Sequence, residues 1–280
     1  MKKIKYFLLT KSVGLGLNMV SYIRPKKAST LAYRLFSEPR TGKLSTENLP
    51  LVLQNVPTYD LMIEGYPIKT YVWKGNENII LLVHGWESNT ARWERLLPYL
   101  QKTGSTIVAV DAPAHGLSGG TEFNMVKYAS FIDVVVQNYQ PHILIGHSIG
   151  AAASIYYQSH YKNDCIEKMV ILGAPSDLKT LIGNYVKLLS LNTKMNQLLE
   201  TFFSEKFKMN VDVFSSSVFA KKIKISGLIV HDIHDEIVAF EEGKKIATSW
   251  KNSVFIQTQG LGHSLHDATL YEQIVTFLNT

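Results

Sequence analysis

Short apolar runs recur along the chain at 79–83 (IILLV), 106–110 (TIVAV), 143–145 (ILI), 168–172 (KMVIL), 225–230 (ISGLIV) and 253–258 (SVFIQT). Uninterrupted runs of this length read as strands covered on both faces. Between them the spacing changes to a helical period. Trp93, Leu96, Leu97 and Leu100 make one stripe behind a cap at Asn89 or Thr90, and 123–139 reads as another helix. Alternating strands and helices predict an α/β fold with a mostly parallel central sheet and helices on both faces. The segment 176–221 is too long for a simple connection. It carries two helical stripes: Leu178, Leu181, Ile182, Tyr185, Leu188 and Leu189, then Met195, Leu198, Leu199, Phe202 and Phe203. A chain of 280 residues with 46% hydrophobic content suits one large core plus such an insertion.

The chemistry begins where the run 143–145 ends. Gly146-His147-Ser148-Ile149-Gly150 is a G-x-S-x-G, followed at once by Ala151-Ala152-Ala153 as the opening of a helix. A serine at such a strand-to-helix turn is forced into a strained conformation that exposes its hydroxyl, and the flanking glycines let strand and helix approach. A nucleophilic serine needs a base, and the base an orienting acid. Candidates for both follow strands. His231-Asp232-Ile233-His234-Asp235-Glu236-Ile237-Val238 comes after 225–230, and Gly260-Leu261-Gly262-His263 after 253–258. That end of the strands is where open α/β sheets gather their chemistry.

Four blocks in this order make the sequence resemble the α/β-hydrolase fold superfamily, in its serine esterase or lipase-like branch. They are His84-Gly85-Trp86, the D-x-x-x-x-G-x-S turn from Asp111 to Ser118, the serine elbow, and the acid and histidine loops. The resemblance covers the chain from about Tyr71 onward. It implies Ser148 as nucleophile, His263 as general base and Asp235 as the acid that holds the imidazole. It also implies an oxyanion hole from the backbone N–H groups of Trp86 and Ile149, with no metal and no cofactor. The family pattern G-x-x-D-x-x-V aligns with Asp235 and Val238, but Asp232 stands where the glycine is usual. Asp232 and Glu236 therefore stay in competition for the acid. Of the other histidines, His84 is expected to shape the oxyanion loop, and His147 and His115 to serve packing or structure. His231, His234 and His266 lack metal-ligand spacing. The family commonly inserts a helical cap over the nucleophile at the position of 176–221.

Charge is uneven. Ten Lys or Arg and one acid fall within 1–43, giving +9 in a chain of +6 overall, so the remainder is −3. The basic leader opens like a secretory signal, but Lys11 interrupts it and no convincing cleavage site follows. Its longest uncharged stretch, 12–23, is too short to span a bilayer. Two readings stand: docking on the hydrolase body, or peripheral contact with an anionic membrane surface. No nucleic-acid motif accompanies the basic residues. Cys165 stands alone, which rules out an intrachain disulfide.

The expected organisation is a basic extension over 1–65, a hydrolase core over 66–175 and 222–280, and a helical cap over 176–221. The expected activity is hydrolysis of a carboxylic ester, or a thioester, through an acyl-enzyme. The partner is a small-molecule acyl substrate with an apolar portion, and the location cytoplasmic, with membrane contact through the leader standing as one of its two readings. Two alternatives remain. One is an aminopeptidase-like amide hydrolase, which needs carboxylates such as Glu200 or Glu205 to hold an amine. The other is a non-catalytic ligand receptor.

Overall fold

The computed structural model describes residues 2–161 and 163–280, with side chains described from Tyr6 onward. Of the residues singled out in the sequence, the side chains of Lys2, Lys3 and Lys5 lie outside the described set. Eight strands form one sheet: β1 (Thr58–Ile63), β2 (Tyr66–Trp73), β3 (Asn76–Val83), β4 (Ser105–Val110), β5 (Ile143–His147), β6 (Lys168–Leu172), β7 (Ser226–Asp232) and β8 (Ser253–Thr258). Their order is β1-β2-β4-β3-β5-β6-β7-β8. β1 and β2 are antiparallel to their neighbours, and every pairing from β4 to β8 is parallel.

The helices in chain order are α1 (Lys2–Ile23), α2 (Pro25–Ser37), α3 (Leu97–Gln101), α4 (Met125–Tyr139), α5 (Ile149–His160), α6 (Leu178–Leu189), α7 (Thr193–Phe207), α8 (Ser216–Ala220), α9 (Phe240–Ser249) and α10 (Ala268–Asn279). The expected helix around Trp93 is split. A 3-10 turn over Thr90–Arg95 is capped by the Asn89 side chain, and α3 follows with Pro98 in its first turn. Proline is tolerated there because that N–H has no helical acceptor.

The chain divides into two units: 1–38 with 177–215, and 39–176 with 216–280. The larger unit holds the sheet. Its core includes Ile80, Leu82, Ile107, Ile145, Val170 and Val230 from the strands, with Leu100 and Ile274 from α3 and α10. These are the apolar runs of the sequence, and burial on both faces explains why they do not alternate.

The smaller unit joins the leader to the insertion. Tyr33 of α2 packs its ring 4.9 Å from Phe202 and 5.4 Å from Phe203 of α7, and Phe36 lies 5.2 Å from Tyr185 of α6. The Tyr185 hydroxyl donates to the Ala32 carbonyl at 2.9 Å. At the turn between α6 and α7, Asn18 of α1 accepts from the Asn192 N–H at 2.9 Å and donates to the Ser190 carbonyl at 3.0 Å. The leader therefore packs on the insertion helices. The boundaries drawn from sequence shift with it. Residues 39–65 belong to the sheet-bearing unit, where β1 pairs with β2, and 216–221 return to that unit as α8 and the residue after it.

Candidate active site

β5 ends at His147, α5 begins at Ile149, and Ser148 makes the turn between them with φ 55° and ψ −128°. A non-glycine residue there is strained, at a cost of roughly 1–3 kcal/mol, and persists only where its surroundings dictate it. Here the sheet does so: the Ser148 N–H donates to the Leu172 carbonyl at the end of β6, at 2.8 Å. Close approach also decides two glycines. A Cβ on Gly150 would lie 2.1 Å from the His84 carbonyl oxygen, and one on Gly85 would lie 2.8 Å from the Ser148 Cβ. Helix α5 and the His84-Gly85-Trp86 loop thus reach the serine only because neither position carries a side chain.

Ser148, His263 and Asp235 come together from the C-terminal ends of β5, β8 and β7. The Asp235 Oδ2 lies 2.7 Å from His263 Nδ1, and His263 Nε2 lies 2.9 Å from Ser148 Oγ. A carboxylate only accepts, so Nδ1 carries the ring proton and Nε2 is left to accept from the serine hydroxyl. That is the tautomer a general base requires. The other Asp235 oxygen accepts from the N–H groups of Ile237 and Val238 at 2.8 and 2.9 Å. Burial alone would raise this carboxyl, but the hydrogen bonds from His263 and the two amides outweigh it and hold it below the ordinary carboxylate range. Glu236, on the same loop, is exposed.

Asp232 has a different task. Its Oδ2 accepts from the Thr258 hydroxyl at 2.8 Å and from the Leu261 N–H at 2.9 Å, and its Oδ1 from the His234 N–H at 2.9 Å. The residue that departs from the family pattern thus ties the acid loop to the histidine loop. Two further side chains hold that loop. His147 Nε2 donates to the His263 carbonyl at 2.8 Å, and Arg92 donates to the Ser264 carbonyl at 3.0 Å. Asp232, His147 and Arg92 are positioning residues that fix the backbone at 261, 263 and 264. Asp232→Asn is expected to lower kcat on an activated ester by roughly 10- to 100-fold with KM within about two-fold, the pattern of a misplaced base. An amide accepts through only one of its two atoms, so one of the three N–H or O–H donors loses its partner. An unchanged kcat in the folded variant would remove the positioning role.

The loop carrying Trp86 is held by buried groups with no freedom to change partners. His84 Nδ1 donates to the Gly85 carbonyl at 2.8 Å while its Nε2 accepts from the Ala112 N–H at 2.9 Å. His115 repeats the arrangement, donating from Nδ1 to the Pro113 carbonyl at 2.8 Å and accepting from the Glu87 N–H at 2.9 Å. Each ring needs one bare nitrogen, so each is neutral, and burial lowers both to a pKa of about 4. Asp111 lies between them, fully buried, and accepts from the Thr90 N–H and hydroxyl, the Tyr71 hydroxyl and the Leu117 N–H at 2.8–3.0 Å. Ser118 closes the motif by donating to the Asp111 carbonyl at 2.6 Å. The D-x-x-x-x-G-x-S turn is thereby a frame for the Trp86 loop. Ile149 is the first residue of α5, where helical N–H groups have no acceptor within the helix and the dipole favours negative charge.

Three other histidines stand near the acid and histidine loops. His231 Nε2 donates to the Val238 carbonyl at 2.9 Å, His266 Nδ1 lies 2.6 Å from the Tyr271 hydroxyl, and His234 is exposed. Among the described residues no three His, Cys, Asp or Glu side chains are grouped as metal ligands.

Comparison with known proteins identifies the fold. The family model described as the α/β hydrolase fold matches residues 78–222, just over half of the chain. The chain is 25% identical over 253 residues to a bifunctional esterase/perhydrolase of Acinetobacter calcoaceticus, covering 72% of this chain and 92% of the relative. It is 30% identical over 142 residues to a probable serine hydrolase of Drosophila melanogaster, covering 47% of this chain and 42% of the relative. Among solved structures, an esterase of Pyrococcus furiosus superposes with a TM-score of 0.63 at 20% identity, covering 87% of this chain and 97% of the other. The sheet order, the serine turn and the matched family model agree: the chain belongs to the α/β-hydrolase fold family.

Proposed function

We propose that the protein is a serine hydrolase that cleaves a carboxylic ester through an acyl-enzyme on Ser148. The observation that carries this reading is the hydrogen-bonded line from Asp235 through His263 to the Ser148 hydroxyl, at 2.7 and 2.9 Å. In the first step the Ser148 oxygen bonds to the substrate carbonyl carbon while its proton passes to His263 Nε2. The carbonyl oxygen, now negative, rests on the Trp86 and Ile149 N–H groups. Collapse breaks the bond to the leaving oxygen, which takes the proton from His263. Water then gives a proton to the same nitrogen and attacks the acyl carbon; collapse breaks the bond to the Ser148 oxygen, which takes that proton back as the acid leaves. Asp235 keeps its charge throughout and stabilises the imidazolium. No cofactor enters this sequence.

Support from relatives is at the level of hydrolases and esterases. An apolar portion of the substrate is favoured by two features of the sheet-bearing unit. Trp86 packs 5.3 Å from Phe123 beside the oxyanion loop, and Ile237 on the acid loop is 69% exposed. A thioester would follow the same steps with a better leaving group. The test is a series of nitrophenyl esters from acetate to palmitate, run beside an alanine anilide. Ester turnover with an optimum above acetate is expected. Cleavage of the anilide alone would replace this reading with the amide hydrolase, and no turnover of either would replace it with the receptor.

A further inference from the structure

Helix α1 is built inside out. Its packed face is mostly small or polar: Thr10, Gly14 and Ser21 are buried there with a single leucine, Leu17, at intervals of three and four residues. Gly14 sits so close to α6 that a Cβ there would fall 1.7 Å from the Leu189 carbonyl oxygen. Most of the exposed large apolar side chains from Leu8 onward point the other way. Leu8, Leu15, Met19, Tyr22 and Ile23 are 58–79% exposed, and at ~100° per residue they fall within an arc of about 100° opposite the packed face. A stripe of this kind is not explained by packing within its own unit, because the unit is already held by the opposite face and by α2 and α7. Exposed contiguous apolar surface of this extent marks an interaction site.

Charge identifies the partner. Residues 1–38 and 177–215 carry thirteen Lys or Arg against five Asp or Glu, a net +8, while the rest of the chain is −2. Basic residues bracket the apolar stripe. Lys2, Lys3 and Lys5 precede it in sequence, and Arg24, Lys26 and Lys27 follow it, exposed. Lys11, midway along, donates to the Leu188 carbonyl at the end of α6 at 2.9 Å, on the side that packs on its own unit. Among the described residues no helix is long and apolar enough to cross a membrane. An apolar stripe with basic ends on a helix that does not span is the pattern of a segment lying in a bilayer interface.

We infer that α1 docks on an anionic phospholipid surface, with Leu8, Leu15, Met19, Tyr22 and Ile23 entering the headgroup–acyl boundary and Arg24, Lys26 and Lys27 pairing with lipid phosphates. The test is flotation of the full-length chain with vesicles of phosphatidylcholine, alone or with about one-third phosphatidylglycerol. Binding to the mixed vesicles is expected, at least ~10-fold tighter than to phosphatidylcholine alone, and weakened by ~1 M salt. Leu15→Glu combined with Met19→Glu is expected to lower binding to the mixed vesicles at least ~10-fold with an unchanged circular-dichroism spectrum, since both side chains are exposed. Lys26→Glu with Lys27→Glu, away from the apolar stripe, is expected to bring binding down to the phosphatidylcholine level. Failure of the full-length chain to float with mixed vesicles overturns the inference. So does self-association in sedimentation velocity that Leu15→Glu with Met19→Glu abolishes in the absence of lipid binding, which would make a second copy the occupant.

Discussion

Ser148→Ala is expected to lower ester turnover by about a million-fold, the loss typical of a serine nucleophile removed from a triad, and by at least ~1,000-fold in any assay of ordinary sensitivity. The size follows from the geometry. The serine oxygen is the only protein atom that bonds to substrate in the proposed steps, and it lies 2.9 Å from His263 Nε2. What remains in the variant is binding and the two amides, which together give modest catalysis by water. Folding should survive. The strained turn is held by the Ser148 backbone N–H and by Gly85 and Gly150, none of which the substitution touches. His263→Ala should fall as far as Ser148→Ala, and the double variant little further, because residues acting as one unit are not additive. A Ser148→Ala variant that keeps more than about a tenth of the activity would place the chemistry elsewhere.

The second large effect is acid lability that sets in well above the carboxylate range. His84 and His115 are buried and neutral in the fold, each with a pKa of about 4, against about 6.5 in an unfolded chain. Their folded values are depressed, so the unfolded chain binds the extra protons. The stability they contribute is complete above pH ~6.5 and is lost as pH falls toward 4. Between pH 7.5 and 4.5 each costs on the order of 2–3 kcal/mol, and the pair together a sizeable share of the whole stability of many domains. His147, pushed well below its ordinary value by burial, adds in the same direction. Asp235 also has a depressed pKa, but its contribution is lost only below pH ~4 and stays outside this window. The urea midpoint should drop by at least ~1 M across the window, and the Trp86 loop, which both histidines hold, should open first. A flat midpoint from pH 7.5 to 5 would mean that these rings take up protons without unfolding.

The parts of this molecule that were legible in the sequence are those written in local pattern. The parallel strands β3 to β7 carry continuous apolar runs, and the serine turn is a run of five residues with its own steric logic. The antiparallel β1 and β2 carry a weaker signal, since β1 is largely exposed at the sheet edge and its pattern resembles a loop. The leader was harder. Nothing local says that Tyr33 and Phe36 of α2 will meet Phe202 of α7 and Tyr185 of α6. Choosing Asp235 over Asp232 rested on family pattern. The physical reason is visible only in three dimensions, where Asp232 turns both oxygens onto loop amides and the Thr258 hydroxyl. His147 and Arg92 were beyond reach for the same reason. Their contacts to the histidine loop span 116 and 172 residues of sequence, and neither sits in a motif that announces the role.

The central claim is that the Ser148 oxygen is the nucleophile, and labelling with a serine-directed fluorophosphonate tests it without knowledge of the substrate. Peptide mass spectrometry should place a single adduct on the peptide that contains Ser148. The adduct should form at least ~100-fold more slowly in His263→Ala, because the base that accepts the hydroxyl proton is gone. An enzyme that turns over esters while Ser148 stays unlabelled, or that carries the adduct on another residue, would contradict the account.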